Sequence, residues 1–327
     1  MPTSPSNSID SRDPYVTASA VDPGPVLAPL KWRLPAALFV ATMLSILYTY
    51  ASVYNDPNDP SRLAKAASFA ACLLAILLTH EFGHFLTARH HRVNASLPFF
   101  IPLPLLGFGT MGAVILMRDR IKSRNALVDI GASGPLAGMA VAIPVILFGL
   151  AHSRVLPIPE HGMQEGQSIL YWLMKRLALG PIPNGYDVDL SPMATAGWVG
   201  FLVTMLNVLP VGQLDGGHVA YALLGPRQNA YSKIVRWSLL GLVPIIFAWR
   251  LSPLLHGAAW SDLWPTALAG SVSWVLWFIV LSLLQRVSGG THPPTEPGEL
   301  SPVRRVVAVG TLILFVLLFM PTPMMSY

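Results

Sequence analysis

Long apolar runs separated by short polar and basic stretches dominate the chain from residue 34 onward. A helix needs about 20 apolar residues to cross a bilayer. Runs at or near that length lie at 34–53, 64–88, 127–151, 194–210, 231–250, 264–285 and 303–320. The fourth is short and ends at Pro210, which predicts a helix that breaks within the membrane. Residues 89–126 contain "LPFFIPLPLLGFGTMGAVI", too irregular for a span and too apolar for an ordinary loop. Its "GTMGAVI" end is punctuated by glycine and closes on β-branched residues, which reads as a strand. The pattern predicts an all-α polytopic membrane protein with about 6–7 transmembrane helices. Its parts are a disordered tail over 1–33, a helical domain over 34–285, a flexible linker over 286–302 and a last helix within 303–327.

Composition agrees with that pattern. The 327 residues are 53% hydrophobic and only 11% charged, whereas soluble domains average about 25% charged residues. The net charge of +5 arises mostly from topology. With the N-terminus in the cytoplasm, 15 of the 21 lysines and arginines fall on the cytoplasmic side, as the positive-inside rule requires. No nucleic-acid partner is therefore expected. The expected setting is a bacterial plasma membrane. No cleavable signal peptide is evident, and Arg12 as the only arginine before Arg33 argues against a plastid transit peptide. The single cysteine, Cys72, excludes an intrachain disulfide and a cysteine zinc cluster. The outer loop 152–193 is below the ~50-residue minimum of a domain, so no PDZ-like module is expected there. Its "QSILYWLMKRLALG" reads as a short helix lying on the membrane.

The chemistry gathers in "LLTHEFGHFLTARHH", residues 77–91. Residues four apart share a helix face, so His80 and His84 aim at one ion. Two imidazoles, a carboxylate and an open position suit zinc, which polarises a carbonyl and acidifies a bound water. Glu81 is placed to take the proton from that water. Ionisable groups within a span are costly and usually functional. From this motif to Arg89–Arg92 is about seven residues, or ~10 Å, which sets the ion inside the hydrocarbon beneath the surface. A third ligand is needed, and the best candidate is Asp215 in "NVLPVGQLDGGHVAY", residues 207–221. Pro210, Gly212, Gly216 and Gly217 leave irregular backbone there, tolerated at membrane depth only against protein or a water-filled cavity.

Four motifs occur in the order seen in site-2 proteases, the intramembrane zinc metalloproteases. They are HEFGH at 80–84, FGTMGAVI at 108–115, GASGPLAG at 131–138 and NVLPVGQLDGG at 207–217. The chain resembles that family over about residues 64–226, closest to compact members without PDZ or CBS modules. The resemblance implies one Zn2+ per chain held by His80, His84 and Asp215, with Glu81 as catalytic acid/base. It places Asn207 against the substrate backbone or the developing oxyanion. It also implies that the 109–115 strand is membrane-re-entrant, lies near the active site and pairs with unwound substrate by β-augmentation.

The implied partners are transmembrane protein substrates within the lipid bilayer; the oligomeric state is not specified. A zinc peptidase of the prenyl-protein-processing type also carries HExxH but takes its third ligand from a glutamate. Here the glutamates after Glu81 (Glu160, Glu165, Glu296 and Glu299) all fall in expected loops. A catalytically idle relative that binds membrane helices is the remaining alternative. Gly134 and Gly138 form a GxxxG spacing that permits close helix approach, and Asp129 reads as a helix cap. His218 is a candidate neighbour of the metal site. His90, His91, His152, His161, His256 and His292 are expected to be solvated or interfacial.

Overall fold

The computed structural model describes residues 29–105, 107–158, 162–257, 259–287, 292, 294–296 and 298–326. His161 thus lies outside the described residues. Two long helices come first, α1 (Arg33–Val53) and α2 (Arg62–His90). Then follow a hairpin of β1 (Phe99–Pro102) and β2 (Thr110–Val114) and the long helix α3 (Arg124–Ala151). A segment with β3 (Arg154–Pro157), β4 (Met163–Glu165), α4 (Ile169–Leu179) and β5 (Tyr186–Asp189) leads into α5 (Pro192–Asn207). After it come α6 (Asp215–Leu224), α7 (Gln228–Arg250), α8 (Trp260–Val287), α9 (Pro302–Leu318) and β6 (Met324–Ser326).

The architecture is mostly helical, and among the described residues five apolar helical stretches are long enough to cross a membrane. Four coincide with α1, α2, α3 and most of α8, and the fifth runs from α6 through α7. At 16 residues α5 spans only about 24 Å. It stops at Asn207, and the chain through Pro210 turns before re-entering a helix at Asp215. Helix starts follow local chemistry. The Ser123 hydroxyl accepts from the Ala126 amide at α3, so Ser123 and not Asp129 caps that helix. At α5 and α9 a Ser-Pro pair sets the start, with Ser191 and Ser301 capping and proline at the first helical position.

The core lies where α2, α3 and α5 pack side by side. Phe69, Leu73 and Ile76 of α2 interlock with Ile146 of α3 and with Trp198 and Phe201 of α5, all fully or almost fully buried. The β1–β2 hairpin is antiparallel, with Phe99 opposite Val114 and Phe100 opposite Ala113, and its register shifts before Pro102 pairs with Thr110. Its loop is fastened to α1. The Ser45 hydroxyl donates to the Gly109 carbonyl at 2.7 Å, and the Leu105 amide donates to the Thr49 hydroxyl at 3.1 Å. Two polar residues in an apolar helix thereby satisfy backbone groups of an irregular segment.

On the opposite side, α4 forms as its sequence suggests, exposing Ile169, Trp172 and Leu177. It is braced by a buried Lys175 that meets Asp187 at 3.2 Å and also pairs with Glu165. Burial, with the Glu165 carboxylate alongside, pushes the Tyr171 hydroxyl well above the usual phenol range.

One ion cluster ties three helices together. Arg304 of α9 donates from Nε to both carboxylate oxygens of Asp129 at 2.9 Å, and its Nη2 lies 2.8 Å from Oδ2. His91, just after α2, meets the same Oδ2 at 2.9 Å and so is not simply solvated. The rigid guanidinium fork matches a carboxylate in a way an ammonium does not. Arg304→Ala is therefore expected to destabilise the protein by about 1–3 kcal/mol, read as a lowered unfolding temperature in detergent. Arg304→Lys should restore only part of the loss.

Candidate metal centre

The proposed ligands come from two elements far apart in sequence. His80 and His84 lie one turn apart on α2, buried on its face toward α3 and α6. Asp215 is the first residue of α6, where its negative charge also suits the helix N-terminus. The structure brings the three together. His80 Nε2 and His84 Nε2 are 3.2 Å apart, and Asp215 Oδ2 lies 3.2 Å from the first and 3.1 Å from the second.

Proton positions make this triangle informative. His84 Nδ1 sits 2.7 Å from the Ile130 carbonyl of α3. A carbonyl only accepts, so Nδ1 donates and, in the neutral ring, Nε2 presents a lone pair to the site. A carboxylate oxygen also only accepts. Buried acceptors facing each other at contact distance are unfavourable unless a cation joins them. Three donors on a tetrahedral zinc with bonds of about 2.0 Å stand about 3.3 Å apart. The observed edges match that spacing, and a nitrogen–nitrogen–oxygen donor set is one zinc accepts. The residues present fit the ion.

Glu81 follows His80 and is buried, yet it makes no hydrogen bond to any described residue. Asn207, the last residue of α5, places its side-chain amide nitrogen 3.2 Å from His80 Nε2. It therefore borders the ligand triangle. His218 lies one turn after Asp215, but its Nδ1 faces His292 Nε2 at 2.8 Å and not the triangle. His292 departs from the expectation of a solvated residue. It is buried, stacks on Tyr221 at 4.0 Å and donates its backbone N–H to Asn229. Nothing in the Pro-rich composition around it signals that docking.

The sequence reading of GASGPLAG as a close-packing spacing has a specific partner here. A Cβ at Gly134 would lie 2.0 Å from His84 Nε2, and one at Gly138 would lie 3.1 Å from the His80 Cβ. The two glycines form the wall against which both imidazoles rest. At the other ligand, a Cβ on Gly216 would meet the Val208 carbonyl oxygen at 1.9 Å, so only glycine lets α6 begin so close to the end of α5.

Geometry thus brings two buried histidines and a half-buried aspartate together as a candidate metal centre in a multi-pass membrane protein. Residues 68–247 match the model of peptidase family M50, and the chain belongs to that family. It is 32% identical over 262 residues to a protein of Arabidopsis thaliana named "Probable zinc metalloprotease EGY1, chloroplastic", covering 71% of this chain and 46% of that one. With a rice protein (Oryza sativa subsp. japonica) of the same name it shares 35% identity over 195 residues, covering 56% of this chain and 33% of the relative. A protein named "Probable zinc metalloprotease EGY2, chloroplastic", from Oryza sativa subsp. indica, is 25% identical over 308 residues, or 90% of this chain and 50% of its own length. The chain therefore spans about half the length, or less, of these curated relatives. No solved structure matches it.

The Gly134 contact gives a direct test. Gly134→Ala must push the His84 ring aside and strain its bond to the Ile130 carbonyl. Zinc affinity, measured by competition with a chelator, is expected to fall about 10–100-fold. Gly241→Ala, where an added Cβ meets nothing within 4 Å, should leave it unchanged.

Proposed function

We propose that the chain is an intramembrane zinc endopeptidase that hydrolyses peptide bonds within the transmembrane segments of other membrane proteins. The observation that carries this reading is the convergence of His80, His84 and Asp215 inside an apolar helical bundle, beside an unpartnered Glu81, in a chain of a peptidase family. His80 and His84 through Nε2, and Asp215 through a carboxylate oxygen, would hold one zinc ion. When bound, zinc supplies Lewis acidity that polarises the scissile carbonyl and makes water a nucleophile at neutral pH. Glu81 is free to accept that water's proton and to return it to the departing amine. Asn207, at the edge of the triangle, is positioned to donate its amide to the oxygen that gains charge during attack. Irregular backbone at 208–214 gives the site a border that is not a continuous helix, as a water-filled cavity in a bilayer requires.

Substrate handling falls to the hairpin. We read β1, β2 and their loop as membrane-re-entrant, a reading supported by the Ser45 and Thr49 bonds that satisfy the loop's backbone. Among the described residues β2 pairs only with β1. Its other edge is open to an unwound substrate strand, since a helical substrate shields its carbonyls until it unwinds. Counting α5 and α9 with the longer helices yields about 6–7 spans. Arginine and lysine placement then puts the N-terminal side and the basic helix ends in the cytoplasm. In this reading the catalytic core is 64–226, and the last helix is a separate span packed back onto it. The prenyl-processing alternative is not favoured. Glu165 is engaged with Lys175 and Tyr171, and Glu296 and Glu299 lie in the linker before α9.

Two variants separate metal binding from catalysis. Glu81→Gln should keep zinc and fold but lose about 10²–10⁴-fold in cleavage of a model transmembrane peptide, because an amide cannot take the proton. Asp215→Ala should lose zinc as well as activity. Near-normal turnover in the first, or full zinc in the second, would remove that residue from its assigned role.

The edge-strand reading has its own test. Gly112 lies in the hairpin's irregularity at a φ of 91°, a conformation that favours glycine. Gly112→Ala should distort β2 and lower cleavage of transmembrane substrates while zinc content stays normal. Unchanged cleavage would argue against pairing at this strand.

A further inference from the structure

We propose that the basic end of the α7–α8 hairpin binds one anionic phospholipid. A cavity of about 420 Å³ lies between these helices, lined by Arg236, Trp237, Phe278, Ser282, Gln285 and Arg286. Two guanidinium groups and a hydroxyl thus face one space, in a part of the molecule that the metal centre does not use. Among the described residues neither arginine has an ion-pair partner.

Arg236 is the less satisfied of the two. Its Nη1 donates to Gln285 Oε1, and its Cζ lies 6.0 Å from the centre of the Phe278 ring. Its Nε is buried with no hydrogen-bond partner. A guanidinium carries five donors, and a desolvated donor without an acceptor is unfavourable, more so for a charged group. Gln285 occupies Nη1 and leaves the Nε/Nη2 edge, the side-on fork that fits a phosphate. Arg236 is also eight residues into α7, or about 12 Å along it, and half-buried. An anion delivered from the bilayer would satisfy its open edge.

The surroundings select a lipid over a free anion. Trp237 lines the cavity yet is 59% exposed, the placement of a tryptophan at headgroup level. Further from the basic end, Ile245 of α7 and Leu276 and Ile279 of α8 are all exposed and apolar. They give both helices an apolar outer surface beyond the basic end, where acyl chains can lie. A charged pocket that opens onto a greasy wall suits an amphiphile with an anionic head.

The test uses the purified full chain in a neutral detergent. Native mass spectrometry and thermal unfolding would follow titration with phosphatidylglycerol, with phosphatidylcholine and with inorganic phosphate. Phosphatidylglycerol should bind at one molecule per chain and raise the unfolding temperature, and the other two should not. Each guanidinium removed should weaken phosphatidylglycerol about fivefold, so Arg236→Gln/Arg286→Gln should lose most of the effect at unchanged zinc content. If the double variant does not fold, Arg286→Gln alone, at the exposed end of α8, must show the single-site loss. Unchanged affinity in these variants would overturn the proposal. So would equal stabilisation by phosphatidylcholine, and stabilisation by inorganic phosphate alone would make this a free-anion site.

Discussion

Two imidazole nitrogens and a carboxylate oxygen held within about 3.2 Å of one another inside an apolar bundle set the terms for the rest of this structure. Such an arrangement is unfavourable without a cation, so the elements around it must both force the approach and fix each ligand's direction. The Ile130 carbonyl fixes one imidazole by taking its Nδ1 proton. Gly134 and Gly138 let α3 come close enough for that carbonyl to reach. Asp215 reaches the triangle because the chain stops being helical after Asn207 and restarts with the aspartate itself as the first residue of α6.

The same requirement accounts for features that look misplaced in an apolar chain. Ser45 and Thr49 interrupt the oily face of α1 because a loop with unpaired backbone groups lies against it. Arg304 and Asp129 would be expensive within helices taken singly; together with His91 they fasten α9 to the two helices that carry and orient the histidines. His292 and Tyr221 do comparable work at α6, where the segment before α9 docks on the helix that supplies the third ligand. These polar groups occur where a backbone or an opposite charge answers them, the general condition for their survival in lipid; Glu81 and the Arg236 Nε are exceptions.

Membership of the M50 family ties this arrangement to peptidases, while the named plant relatives are longer than this chain, which matches half of their length or less. The matched segment contains every residue of the triangle together with Glu81 and Asn207. The hairpin α7–α8 packs mainly on itself and touches the body through α6 and through the C-terminal segment around Phe319, Pro321 and β6. Its basic cavity is lined by none of the residues of the candidate metal centre.

Much of this was legible along the chain. Helix positions followed from apolar runs, because hydrophobic length is a local property. The pairing of His80 with His84 was equally local, being a matter of helical spacing. Asp215 stood out through the glycines and proline around it, although its approach to the histidines spans 131 residues. What only the tertiary structure decided was which groups meet across helices. Asp129 reads as a cap until Arg304 and His91 are seen to converge on it from two other helices. Gly134 reads as a packing residue until its partner proves to be a ligand ring, and His292 reads as linker until Tyr221 lies beneath it. The reason is physical. Spacing along one helix determines which residues share its face, but the depth and rotation at which two helices pack are set by all their side chains at once.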